Sequence, residues 1–210
     1  MTTDYDNCKC TNPICVEHRT MSMTTHEATL RRMLIVNGVT NPEVLENTPR
    51  RFLKFFSDYT IGLREPYVDF KSFPMPDANQ MITIESDFFS ICEHHLLPYL
   101  GKAFISYLPR EKVVGVSKMV KLIKHSFRKP SIQEGVTEQI AKTVAKETDA
   151  AGVAVTCRGF HLCVAMRYQN GWMTTSTMLG KFNHKDSKFS AFTKQEYLTY
   201  IQPRLAEMKL

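Results

Sequence analysis

Apolar residues fall into helical spacing at the start of the chain and into strand spacing through its middle. From Thr25 to about Val39, Leu30, Met33, Leu34 and Val36 keep a helical rhythm that stops near Gly38. Thr48-Pro49 reads as a second helix start, a capping side chain followed by proline in the first turn, with Phe52, Leu53, Phe55 and Phe56 on the apolar side and Gly62 at the end. A connection punctuated by Pro66, Pro74 and Pro76 leads out of this helical region. Residues 81–90 and 101–108 then read as strands. Ser117 is expected to cap a helix reaching about Phe127, and a longer helix is expected from about Ser131 to Thr148. Gly152–Arg158 and Leu162–Tyr168 read as two strands around a turn that holds His161, and Met173–Leu179 as a further strand. Thr193-x-x-Glu196 is a capping-box signature for a last helix containing Tyr197, Leu198 and Ile201. This order predicts an α+β fold, with an antiparallel sheet covered on one face.

Composition narrows the class. The chain has 210 residues, 43% hydrophobic and 23% charged, which suits one soluble globular domain with a small appendage. No apolar run is long enough for a membrane span, so no membrane partner is expected. The first residues lack the basic and apolar regions of a secretory signal, and a cytoplasmic location with reduced thiols is the expectation. Residues 1–22 form a polar segment carrying Cys8, Cys10, Cys15 and His18; they read as a flexible tail with free thiols, although their spacing would also suit a small second metal site. The net charge of +6 is scattered rather than blocked, so it does not by itself point to nucleic acid.

The candidate chemistry sits in two short motifs. Cys92-Glu93-His94-His95 and His161-Leu162-Cys163 offer thiolates and imidazoles, the donors zinc takes from protein. Cys92, His95 and Cys163 would give three ligands and leave one open position, with His94 and His161 beside the metal as proton carriers. The plain alternative is a buried cysteine on each of two strands, with histidines in the loops. A stripe of Lys118, Lys121 and Arg128 runs opposite Met119, Leu122, Ile123 and Phe127 on the helix that opens at Ser117. Such a stripe is either a solvated face or, at a helix N-terminus, an anion site. Gln133-Glu134 opens the next helix, where a carboxylate either answers the helix dipole or accepts from a ring N–H and an exocyclic amine.

Taken together, Cys92-Glu93-His94-His95, Val116-Ser117-Lys118, Ile132-Gln133-Glu134, His161-Leu162-Cys163 with Arg167, and Thr175–Gly180 resemble the GTP cyclohydrolase I family in order and spacing. The resemblance runs from about Thr48-Pro49-Arg50-Arg51 through the last helix. It implies a T-fold in which N-terminal helices (about 23–65) precede a core (about 78–210) of antiparallel strands with a helix pair on one face. It also implies a homodecamer of two pentamers, and conversion of GTP and water to formate and 7,8-dihydroneopterin triphosphate, the first step of pterin, folate or related 7-deazaguanine synthesis. By position, Cys92, His95 and Cys163 would hold zinc, and His94 and His161 would be the acid–base pair. Ser117 would act near the ribose, and Gln133 and Glu134 would hold guanine. Lys118, Lys121 and Arg167 would face the triphosphate, with Arg51 reaching it from a neighbouring subunit.

Two features depart from the family pattern. Lys121 stands where relatives carry Arg, keeping the charge without the planar fork, and the cysteine-bearing N-terminal segment has no counterpart. Other T-fold enzymes fit less well, since one relative wants three histidines on zinc and another a cysteine nucleophile with nicotinamide. A zinc-stabilised nucleic-acid-binding protein would need a closed four-ligand site and a contiguous basic surface.

Overall fold

The computed structural model describes residues 16–76, 80–183 and 188–208; Cys8, Cys10 and Cys15 lie outside them. The chain divides into two compact units between Tyr59 and Thr60. The first holds helices α1 (Val16–Val36) and α2 (Pro42–Tyr59). Gly38 takes φ +85° and ends α1: its N–H donates to the Ile35 carbonyl and that of Val39 to the Leu34 carbonyl, both at 3.0 Å. Helix α2 starts earlier than expected, because Asn41 caps it. The Asn41 Oδ1 accepts from the Glu43 N–H at 3.0 Å, and Pro42 follows as first helical residue. Thr48-Pro49 therefore lies within α2, where Pro49 removes one hydrogen bond and is buried. The Phe52/Phe56 and Phe55/Tyr59 ring pairs stack along the following turns.

The second unit opens with a 3₁₀ turn, Thr60–Leu63. Gly62 is more than a helix stop, since its N–H donates to the Arg128 carbonyl at 2.9 Å and a Cβ there would lie 2.8 Å from the same oxygen. The elements that follow are β1 (Ser72–Pro74), β2 (Ile82–Cys92), β3 (Pro98–Leu108), β4 (Lys112–Val114), α3 (Val116–Ser126), β5 (Pro130–Ser131), α4 (Gln133–Thr148), β6 (Gly152–His161), α5 (Leu162–Ala165), β7 (Trp172–Gly180) and α6 (Lys188–Glu207). β1 and β4 pair by themselves, and the main sheet has the order β5-β2-β3-β6-β7. Its four long strands are antiparallel, as expected; the two-residue β5 adds a parallel edge, Ile91 opposite Pro130 and Cys92 opposite Ser131.

Strand alternation sorts the core into two layers. Ile84 and Phe88 of β2, Ala103, Ile105 and Tyr107 of β3, and Val153, Val155 and Cys157 of β6 share a buried cluster with Met119, Leu122 and Ile123 of α3 and Val136, Ile140 and Val144 of α4. This is the helix pair on one face that the resemblance implied. The other face is not bare, which corrects the expectation of cover on one side only: Phe104 and Ala154 pack there with Phe182 and with Tyr197 and Ile201 of α6.

Four local readings shift. Gly115, not Ser117, stands at the N-cap of α3, and Ser117 is an exposed residue in its first turn. Ser131 belongs to β5, its hydroxyl 2.9 Å from Tyr99 Oη and 3.1 Å from Ser90 Oγ, so α4 starts at Gln133. Leu162–Tyr168 is not a strand: β6 takes β7 as partner, with Phe160 opposite Trp172, and the segment between coils into α5. Thr193 lies buried inside α6 rather than capping it.

Candidate functional site

The register brings the two sequence motifs to the same end of the sheet. Cys92 closes β2, and the chain turns at once to reach Pro98, which pairs with Ile91. Within the turn the His95 and Leu96 N–H groups donate to the Cys92 carbonyl at 3.3 and 2.8 Å, and the Cys92 N–H donates to the Leu97 carbonyl at 2.9 Å. Leu96 adopts φ +53°, a left-handed conformation that costs a side-chain-bearing residue about 1–2 kcal/mol. That local cost accompanies a useful result, because the turn places His95 Nδ1 3.5 Å from Cys92 Sγ. On the far side of β3, β6 ends at His161 opposite Tyr99, and α5 then buries Cys163.

The donor atoms of Cys92, His95 and Cys163 all lie within 4.8 Å of one another. Burial pushes the Cys163 thiol above its ordinary pKa, and hydrogen bonding to Cys92 and its charge add to this; Arg167 pulls the other way. Two buried sulfurs, from the end of β2 and from α5, and the exposed imidazole of the turn after β2 form a soft donor set, which fits a zinc ion.

His161 stands beside this group in a different setting. It is buried, and its ring stacks on Tyr99 with centroids 4.4 Å apart and planes 6° from parallel. Its Nε2 lies 3.2 Å from Gln133 Oε1. Burial pulls its pKa below the ordinary imidazole value, while the Glu134 carboxylate raises it. Glu134 itself is exposed in the first turn of α4. His94 is exposed too, its ring centroid 6.2 Å from that of His95 and its Nε2 3.9 Å from Glu93 Oε1.

Gln133 departs from the sequence expectation: its side chain is wholly buried and bonded inside the fold. On α3, Lys118 pairs with Asp69, and Lys121 Nζ lies 4.0 Å from the same carboxylate. Lys118 holds the Asp69 carboxyl below its ordinary pKa through that hydrogen bond, with further help from both lysine charges. Tyr67 supports the arrangement by donating to the Lys118 carbonyl at 2.8 Å. Arg167 is exposed just after α5. Arg51 belongs to the first unit, where it pairs with Glu43 at 2.8 Å. Sequence reasoning missed Tyr99 and Asp69. Tyr99 precedes the strand read over 101–108, and its place opposite His161 depends on the non-local β3–β6 pairing; Asp69 lies in an aperiodic connection that carries no signal of its partners.

The model of the family described as GTP cyclohydrolase I matches residues 26–196. A GTP cyclohydrolase 1 from Teredinibacter turnerae is 41% identical over 155 residues, covering 70% of this chain and 84% of its own. One from Coxiella burnetii is 36% identical over 168 residues, covering 77% and 89%. The chain belongs to the GTP cyclohydrolase I family. Every candidate residue, from Arg51 to Arg167, falls inside the span that matches the GTP cyclohydrolase I model, whereas Cys8, Cys10, Cys15 and His18 fall outside it. Among solved structures, an archaeosine synthase QueF-Like in the apo form aligns with 50% of this chain and 97% of its own at TM-score 0.43 and 14% identity.

Proposed function

We propose that this member of the GTP cyclohydrolase I family converts GTP and water to formate and 7,8-dihydroneopterin triphosphate, with zinc held by Cys92, His95 and Cys163. The observation that carries the reading is the convergence of those three donors beside a buried histidine. Zinc held there supplies Lewis-acid activation of water at neutral pH. The rest is work for the chain's own side chains. His161, which burial holds toward its neutral form, can accept a proton at pH 7. His94, exposed in the turn that follows β2, forms the other half of the acid–base pair. Ser117 acts near the ribose while the opened ring rearranges and recloses. That sequence moves protons and breaks a C–N bond of a cyclic amidine without net oxidation, so it calls for no redox cofactor.

Substrate recognition divides by charge. The Glu134 carboxylate matches the ring N–H and exocyclic amine that guanine presents side by side. Lys118, Lys121 and Arg167 face the triphosphate, and Arg51 joins them from a neighbouring subunit of a homodecamer built from two pentamers. The product feeds pterin, folate or 7-deazaguanine synthesis in the cytoplasm; among the described residues no helix is long and apolar enough to cross a membrane. The test is direct. Purified, zinc-loaded protein incubated with GTP should release formate and a pterin that fluoresces after oxidation, whereas ATP should release none. Equal turnover of the two nucleotides, or no formate from GTP, overturns the proposal.

A further inference from the structure

Gln133 is the first residue of α4, yet its side chain is fully buried under the sheet. Its amide nitrogen lies 3.1 Å from the Cys157 carbonyl oxygen, 3.3 Å from that of Met173 and 3.0 Å from Thr175 Oγ1. Carbonyl oxygens only accept, so this end of the amide has to be the NH₂. The reverse orientation would set Oε1 against two carbonyl oxygens in a buried site, which is strongly unfavourable. The hydroxyls agree with that assignment. Thr137 Oγ1 donates to the Gln133 backbone carbonyl at 2.7 Å, so Thr175, 2.7 Å away, gives its proton to Thr137 and keeps a lone pair for the Gln133 amide.

With the NH₂ fixed, Oε1 is the atom 3.2 Å from His161 Nε2. An amide oxygen carries no hydrogen, so the contact is a hydrogen bond only when Nε2 is protonated. Two further features hold the geometry. Gly159 leaves the space for Oε1, since a Cβ there would lie 2.4 Å from it. Tyr99 holds the imidazole plane from one face, and its own hydroxyl is tied to Ser131 at 2.9 Å.

We infer that Gln133 is a positioning residue that fixes His161 as the Nε2–H tautomer and leaves Nδ1 as the lone-pair nitrogen that gives and takes protons. This replaces the expectation that the Gln133 side chain touches guanine. The catalytic consequence rests on the proposed role of His161; the tautomer does not.

The experiment is solid-state ¹⁵N NMR of the zinc-loaded protein labelled at histidine, with the His161 signals identified by their loss in His161→Asn. Wild type should show His161 protonated at Nε2 and bare at Nδ1. Gln133→Leu should populate both tautomers with zinc content unchanged, and should lower kcat for formate release by about 10²-fold while KM stays within about twofold. A wild-type spectrum with the proton on Nδ1 overturns the inference without any variant. So does a Gln133→Leu protein that keeps the tautomer, or one whose KM rises at constant kcat, as a substrate contact would. The spectra answer independently of the substrate, so failure of the GTP reaction would be seen separately.

Discussion

The corner that holds Cys92, Cys163 and His161 and the rim that carries Lys118 and Lys121 are built differently. At the corner, strand register and tight backbone turns fix each side chain, and the surroundings are buried on both sides of β3. At the rim, the lysines stand on the outward side of α3 and share one carboxylate, Asp69, with side-chain exposures of 21% for Lys118 and 62% for Lys121. A buried, register-set group cannot be replaced without losing its neighbours' partners, whereas an exposed charge acts at a distance and is screened by solvent. Substitutions should therefore lose their effect steeply from corner to rim.

Cys163→Ala is expected to have the largest consequence. It should remove stoichiometric zinc and bring formate release to background together, while the subunit stays within about 1–2 kcal/mol of wild-type stability, as for a small truncation at the edge of the core. Metal analysis alongside activity checks this; a variant that keeps both zinc and turnover breaks the assignment of the corner. His161→Ala comes next. It should keep its metal and lose about 10²–10⁴-fold in kcat, the usual range for one acid–base group. Zinc loss from this variant would make His161 a ligand and erase its contrast with Cys163.

Much of the corner was legible in the sequence, because the Cys92–His95 and His161–Cys163 motifs carry their chemistry in residue type and spacing, and most of β2 and β3 reads as strand over 81–90 and 101–108. What was not legible depended on non-local partners. Leu162–Ala165 is an uninterrupted apolar run, which suits a strand or a helical turn equally until β7 is known to pair directly with β6. Thr48-Pro49 and Asn41-Pro42 present the same helix-start grammar, and only the Asn41 hydrogen bond chooses between them. Gln133 reads as a helix-opening residue that holds guanine; its burial inside the fold depends on the absent side chain of Gly159, far along the chain.

Glu134 lies between the two regimes, exposed but close enough to His161 to influence it electrostatically. Glu134→Gln should cut kcat/KM for GTP by about 10²-fold, since the carboxylate's two acceptor positions answer two donors on the base. Thermal stability should barely change, because the side chain is solvated. A variant with wild-type GTP kinetics would move the guanine contact elsewhere.

The smallest effect should come at Lys121, and it is the sharpest probe of the rim. Its ammonium is a point charge 4.0 Å from Asp69, where an arginine would present a planar fork able to serve a phosphate bidentately. Because Lys118 keeps the Asp69 carboxyl below its ordinary pKa, that carboxylate is ionised throughout the neutral range and competes with any incoming phosphate for both lysines. Lys121→Arg should thus lower KM for GTP by about two- to threefold with little change in kcat, since triphosphate binding is largely shared by ground and transition states. Lys121→Ala should raise KM by a similar factor, and Asp69→Asn should lower it by freeing both cations. All three shifts should shrink as salt is added. If instead α3 shows only a solvated face, KM will be the same in every variant at every ionic strength, and the triphosphate must then be held by residues other than this pair of lysines.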